Sequence, residues 1–463
     1  MKTATALPAL ERGLAEPSRS AAVVDEKAPV IVKLIAAAAL IVVAWGIVLN
    51  QGVEVGFLLA ALLIPLWIRS VRRFWGMPLL MVLGVLAIGA GLWLQVANGS
   101  DHAVDKGIAT STTILLIGAI LSVGVILWAR TLFSVPTIAL FYGIGLFLGI
   151  TPNARAFVEN PYKFGYAIPI AVVGLALARM TRRWWLELIV VLVLSGLSAL
   201  NDARSSFALL LVAAILLLAQ LPIFRVGHRG SASLVALGIV VAGFIVYNLG
   251  TYLLLSGALG RATAARSLAQ INASGSLVLG GRPELGATVA LIRSKVWGFG
   301  AGVAPSSSDV LTAKTGMKAI GYAPNNGYVS GYMFGGHFEL HSVFGDLWAQ
   351  TGVAGLAFVL IAGVVMLYGL TRNIADGVAV GVLLFIVASS VWDLAFSPFF
   401  SSERLFVLSI GLIAIPVASR RAATGATQWV NSRTASMGPR QLAASWKPAR
   451  AKTPASLAEE AAG

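Results

Sequence analysis

Cysteine is absent, histidine occurs only four times, and charged residues make up just 11% of the 463. Without cysteine the chain forms no disulfide and no thiolate metal site. A soluble domain carries about 25% charged residues, so this scarcity of charge excludes a soluble globular enzyme. Disorder is excluded as well, because 58% of the residues are hydrophobic. What fills the chain instead is a series of long apolar runs between Val30 and Ala418. Many are long enough to cross a hydrocarbon core of roughly 30 Å. The composition predicts an all-α polytopic membrane protein.

Twelve runs, at 31–49, 53–68, 77–97, 108–129, 132–150, 164–178, 184–200, 207–224, 234–255, 352–370, 378–394 and 405–418, predict about 12 transmembrane helices. Lys and Arg orient them. With the N-terminus inside, the inner segments hold twenty-one Lys/Arg, against five in the short outer loops (Lys106, Arg155, Lys163, Arg204 and Arg404). Cations gather on the cytoplasmic side, so both termini are expected there. This distribution accounts for the net charge of +15 without nucleic acid, since no amphipathic basic stripe is present. Residues 1–30 form a polar N-terminal tail with no apolar core, and no cleavable signal is expected ahead of the first run. Residues 419–463 form a basic cytoplasmic tail that reads as disordered and attracted to anionic lipid headgroups. Helices one to nine then occupy 31–255, helices ten to twelve lie within 341–418, and one long outer loop spans 256–340. A loop of that length is usually functional.

Within the loop, Leu285, Val289 and Ile292 recur at i, i+4, i+7 after Arg282 and Pro283. That spacing predicts an amphipathic helix, with Pro283 in its first turn and Leu291 and Val296 widening the apolar face. A helix of this kind lies on a membrane surface, where Arg282, Arg293 and Lys295 can meet phosphate. Gly298-Phe299-Gly300-Ala301-Gly302 reads as a flexible return toward the membrane.

His102 and His228 sit in polar loops and read as surface residues. His337 and His341 flank Glu339 ahead of the tenth run. On a helix that glutamate points away from both imidazoles and no third ligand is evident, so no metal is assigned. Glu187 and Asp393 lie within runs but near their ends, where pairing or hydration accounts for them.

More informative is the order His341, Ser342, nine residues, Gly352, two residues, Gly355. It resembles the signature of the O-antigen ligase and polymerase family of bacterial envelope glycosyltransferases. The layout is similar too: many spans, one long late periplasmic loop, and this motif where the loop re-enters the membrane. Asn201-Asp202-Ala203-Arg204-Ser205-Ser206 resembles the family's arginine at the outer end of a mid-chain span. Arg282 with Lys295-Val296-Trp297-Gly298-Phe299-Gly300 resembles its second arginine and the following Pro-x-x-Gly-x-Gly segment. The chain departs from that pattern in carrying Lys295 in place of proline and in lacking an aromatic after Arg282, which makes Arg293 a substitute candidate. The resemblance covers about residues 180–400; the first six runs match only in hydropathy.

The resemblance implies a multi-pass protein of the bacterial inner membrane whose active site faces the periplasm. The donor there is a glycan on polyprenyl pyrophosphate, and the acceptor is a saccharide or a lipid A core. Arginine presents a planar fork to phosphate oxygens and keeps its charge at low dielectric, which suits Arg204, Arg282 and Arg293 to the leaving pyrophosphate. Neutral histidine suits His341 to proton removal from the acceptor hydroxyl. Ser342, Asp346, Gly352 and Gly355 are supporting residues; the glycines are also what close helix packing uses. A single displacement inverts the anomeric centre and requires neither metal nor cofactor. Ligation and polymerisation share the signature. The alternative class is a secondary transporter or glycolipid flippase, which in a two-half design puts its long connection centrally and inside. Here that place holds the short Arg179–Arg183 turn.

Overall fold

The computed structural model describes residues 25, 27–221, 232–257 and 260–417. The expectations for the tails at 1–24 and 418–463, and for His228, lie outside these residues. Eighteen α-helices are present among the described residues. The first group comprises α1 (Val30–Trp45), α2 (Val55–Leu62), α3 (Ile64–Val71), α4 (Met77–Asn98), α5 (Lys106–Ala129) and α6 (Val135–Leu148). A two-stranded antiparallel hairpin, β1 (Val48–Asn50) and β2 (Val53–Glu54), joins α1 to α2. Next come α7 (Arg155–Glu159), α8 (Ala167–Met180), α9 (Trp184–Leu200), α10 (Arg204–Leu218) and α11 (Ala232–Leu255). Segment 256–340 carries α12 (Arg261–Ser274), α13 (Leu277–Gly281), α14 (Glu284–Ser294) and α15 (Ser307–Ala319). The last helices are α16 (Val343–Ala375), α17 (Gly381–Phe396) and α18 (Phe399–Ile413). Two π-helical turns, Tyr162–Tyr166 and Tyr328–Met333, complete the set.

Each of the twelve predicted runs contains helix, and the architecture is that of an all-helical membrane protein. Among the described residues, five helical stretches are long and apolar enough to cross a membrane: Met77–Asn98, Lys106–Ala129, Tyr162–Met180, Ser233–Leu255 and Val343–Ala375. The second run, expected to be one helix, is two. Leu63 leaves helical geometry at φ −85°, ψ 4°, because Pro65 clashes with a continuing turn and has no N–H for the ladder.

The described residues up to Ile415 form one unit, and two apolar cores occur among them. The larger gathers Trp67, Phe74, Tyr142, Phe358, Phe385 and Phe406 between the apolar helices. A smaller core, built largely from segment 256–340, joins Leu291, Phe299, Met317, Met333, Phe338 and Trp348. The segment is therefore folded on its own centre and is seated on the first turns of α16.

Several expectations are corrected here. α14 buries Ala287, Thr288 and Leu291, whereas Val289 is 49% exposed. The buried stripe is rotated because α15 packs there, and the approach is close. A Cβ on Gly286 would stand 2.5 Å from the Gly316 carbonyl oxygen. The apolar face of α14 is thus occupied by another helix.

The glycine-rich segment is pinned instead of flexible. Phe299 and Gly300 N–H both donate to the Ala349 carbonyl at 2.9 Å, and Asp105 N–H donates to Gly302 O at 2.9 Å. The α16 ladder is broken at Gly352 (φ 66°, ψ −153°), so the Ala349 carbonyl is left for these outside donors. Helix α16 begins at Val343, nine residues before the predicted start of the tenth span; Ser342 caps it by accepting Gly345 N–H at 2.9 Å.

Candidate functional site

His341 lies in the turn between an irregular stretch, 334–342, and α16. Its backbone is left-handed at φ 53°, a conformation that costs a side-chain-bearing residue free energy. Asp346, in the first turn of α16, explains how it is held. The buried carboxylate accepts Leu340 N–H at 2.8 Å through Oδ1 and Phe399 N–H at 2.9 Å through Oδ2. One side chain ties the residue before His341 to the start of α18. Asp346 supports the histidine's backbone and makes no bond to the ring.

The ring faces Tyr332, whose hydroxyl is 3.3 Å from His341 Nδ1. Tyr332 in turn stacks on Tyr328, with ring centroids 5.3 Å apart and planes within 15°. The Tyr328 hydroxyl donates to Glu284 Oε1, and the other carboxylate oxygen is buried with no hydrogen-bond partner among the described residues. Burial, and then the positive charge of Arg282, push the His341 imidazole down to about 4, so it is neutral at pH 7. Burial, then the carboxylates of Glu339, Asp346 and Glu284, push the Tyr332 hydroxyl above its usual range and keep it protonated. Burial also raises the Glu284 carboxyl, against the opposing Tyr328 hydrogen bond and Arg282 charge.

Arg282 is half-buried one residue before the N-cap of α14, its guanidinium 5.9 Å from the Phe396 ring centroid. Among the described residues it makes no side-chain hydrogen bond or ion pair, although its charge reaches His341, Glu284 and Tyr328. Arg204 opens α10. Its Nε donates to Asp202 Oδ1 at 3.1 Å and a terminal nitrogen to Ser267 Oγ at 3.4 Å. Arg266 meets the other oxygen of Asp202 at 3.5 Å. Lys163 lies within electrostatic reach of Asp202, Arg204, Arg266 and Arg282. Three cations and one carboxylate thus share a small region, Arg282 acts on Lys163 from its border, and of the four cations Arg282 is the one whose charge reaches His341. Arg293 is not among them. It is exposed in the last turn of α14, about 16 Å along the helix from Arg282 at the rise of an α-helix.

Gly352 and Gly355 shape the support beneath. A Cβ on Gly352 would stand 2.3 Å from the Trp297 carbonyl, and one on Gly355 would stand 2.5 Å from the Leu347 carbonyl. The two glycines let α16 bend and let segment 297–302 sit against it.

Two histidines are placed differently from expectation. Segment 334–342 is not helical, because Gly336 adopts φ 120° and Asp346 claims the Leu340 N–H. Glu339 therefore does not point away from His337; the pair stands at 3.5 Å. His341 turns to Tyr332 instead, and no group of three or more His, Asp or Glu side chains suited to a metal ion occurs among the described residues. His102 is not a surface residue. Its ring meets Phe299 edge-on at 5.9 Å, and its Nε2 lies 2.9 Å from Asp309, whose carboxyl is held below its usual range by Ser306 and His102 in spite of burial.

Sequence reasoning missed Tyr328, Tyr332, Glu284, Lys163 and Arg266. Tyr328 and Tyr332 did leave a signal, two tyrosines four residues apart just ahead of His341. Comparison with protein-family models, curated proteins and solved structures finds no match.

Proposed function

We propose that this chain is a membrane glycosyltransferase resembling the O-antigen ligases and polymerases, working at the periplasmic face of a bacterial inner membrane. It takes glycan from a polyprenyl-pyrophosphate donor and gives it to an acceptor saccharide, by ligation or polymerisation. The observation that carries this reading is a half-buried histidine, facing Tyr332 at 3.3 Å, within electrostatic reach of Arg282, which among the described residues has no carboxylate partner and whose charge also reaches Lys163 next to the Arg204–Asp202–Arg266 group. A base without a positive charge of its own and a cluster of fixed cations are the two things this transfer needs.

In the reaction, His341 Nε2 takes the proton from the acceptor hydroxyl, and that oxygen attacks the anomeric carbon. The bond from this carbon to the pyrophosphate oxygen breaks with inversion. Arg204 and Arg282 hold the charge that develops on the departing polyprenyl pyrophosphate. For Nε2 to be the base, the ring proton must sit on Nδ1, the nitrogen that faces the Tyr332 hydroxyl at 3.3 Å.

The test uses purified full-length protein with a lipid-linked oligosaccharide pool, scoring release of polyprenyl pyrophosphate and glycan length. Turnover in the presence of chelator that is lost in folded His341→Ala and Arg204→Ala supports the reading. A ladder of lengths identifies polymerisation, and one transfer to a core acceptor identifies ligation. Undiminished turnover in His341→Ala removes the base. Solute counterflow in liposomes with no transfer from any lipid donor overturns the reading in favour of a transporter.

A further inference from the structure

A base must present one particular ring nitrogen, and a neutral imidazole has two tautomers to choose from. The two ring nitrogens of His341 differ in their partners among the described residues. Nδ1 is within hydrogen-bonding distance of Tyr332, the one side-chain polar partner it has among the described residues. Tyr332 is itself constrained by neighbours with no other evident purpose. It belongs to the π-helical turn Tyr328–Met333, which closes with Phe334 N–H donating to Val329 O at 3.2 Å. Such wide turns are rare and recur at functional sites. Tyr328 and Tyr332, four residues apart, share one side of the turn and stack on each other.

Tyr328 is anchored at its far end by Glu284. That carboxylate is 5% exposed, uses one oxygen for Tyr328 and leaves the other without a partner among the described residues. Burying a carboxylate this incompletely is costly, and a purely structural role would be served by an apolar side chain. Glu284 also stands two residues after Arg282, on the same end of α14. The chain of contacts runs from the cation to the base: Arg282 and Glu284 on one element, Tyr328 and Tyr332 on the next, His341 on the third.

We propose that Tyr332 is a positioning residue that holds His341 in a single tautomer through its contact with Nδ1, and that Glu284, acting through Tyr328, holds Tyr332 in place. This rests on the transferase reading for its kinetic consequence and on geometry alone for its structural one.

The two are separable by experiment. Full-length protein labelled with 15N-histidine reports the tautomer, with the His341 signal assigned by its loss in His341→Ala. Wild type is expected to hold one tautomer, and the transferase reading requires it to be the one protonated on Nδ1. Tyr332→Phe, which removes a single oxygen, is expected to give a mixture. Transfer assays are expected to show kcat down about 100-fold in Tyr332→Phe, the scale of a misplaced reacting group, with donor KM within about twofold. Tyr328→Phe and Glu284→Ala should act in the same direction, and Glu284→Gln should restore both tautomer and rate, since its amide oxygen still accepts from Tyr328. The proposal is overturned if Tyr332→Phe leaves tautomer and kcat at wild-type values, or if Glu284→Gln is no better than Glu284→Ala. A wild-type tautomer that is single and becomes mixed in Tyr332→Phe, in a protein with no transfer activity, would sink the transferase reading while leaving this assignment standing.

Discussion

Asp346 accepts the Leu340 N–H at 2.8 Å, and that bond sets the backbone from which His341 projects. The same carboxylate holds Phe399 N–H at 2.9 Å, so two elements far apart in sequence meet on one side chain. Removing it in Asp346→Ala strands two buried donors, at about 1–3 kcal/mol each. A fall in melting temperature of purified protein checks this. Asp346→Asn keeps one acceptor oxygen and should lose roughly half as much.

Neutrality of His341 gives a pH signature. Its folded value, about 4, lies below the ordinary 6.5, so the folded state binds fewer protons than the unfolded chain over that interval. Stability from this residue is therefore complete above about 6.5 and falls as pH drops toward 4. Activity should keep its base until pH approaches 4. The rate of carbethoxylation of His341 by diethylpyrocarbonate, followed by mass spectrometry, reports the titration directly. Arg282→Gln removes the neighbouring cation, so the midpoint should rise toward the ordinary value; an unchanged midpoint would show that burial alone sets it.

The backbone of His341 makes a second test possible. At φ 53° asparagine is tolerated better than alanine. His341→Asn should abolish transfer while melting within about 0.5 kcal/mol of wild type, whereas His341→Ala should cost about 1 kcal/mol more. Equal melting of the two variants would mean that the turn relaxes when the ring is removed.

Gly352 carries the bend in α16. Gly352→Ala would put a Cβ 2.3 Å from the Trp297 carbonyl in a backbone region closed to other residues. A loss of about 3 kcal/mol or more is expected, with limited proteolysis near residues 297–302 as that segment leaves the Ala349 carbonyl. Wild-type melting and cleavage patterns in this variant would argue against the bend as the anchor.

Composition and periodicity determined the membrane class, the helical nature of all twelve runs, and a structured element after Pro283, because apolar length and local spacing are properties of the chain itself. The motif residues His341, Ser342, Gly352 and Gly355 were legible for the same reason, as a spacing along one segment. Tertiary structure alone decided which side of α14 is buried, since Gly316 on another helix sets that contact. It also decided that Arg282, and not Arg293, stands beside His341, and that Tyr332 and Glu284 belong with them. These pairings join residues from 163 to 399, and no local pattern encodes which distant backbone will offer an unpaired N–H or carbonyl. The chain carries its helices in its sequence; the approach of Arg282 to one neutral histidine is a product of packing.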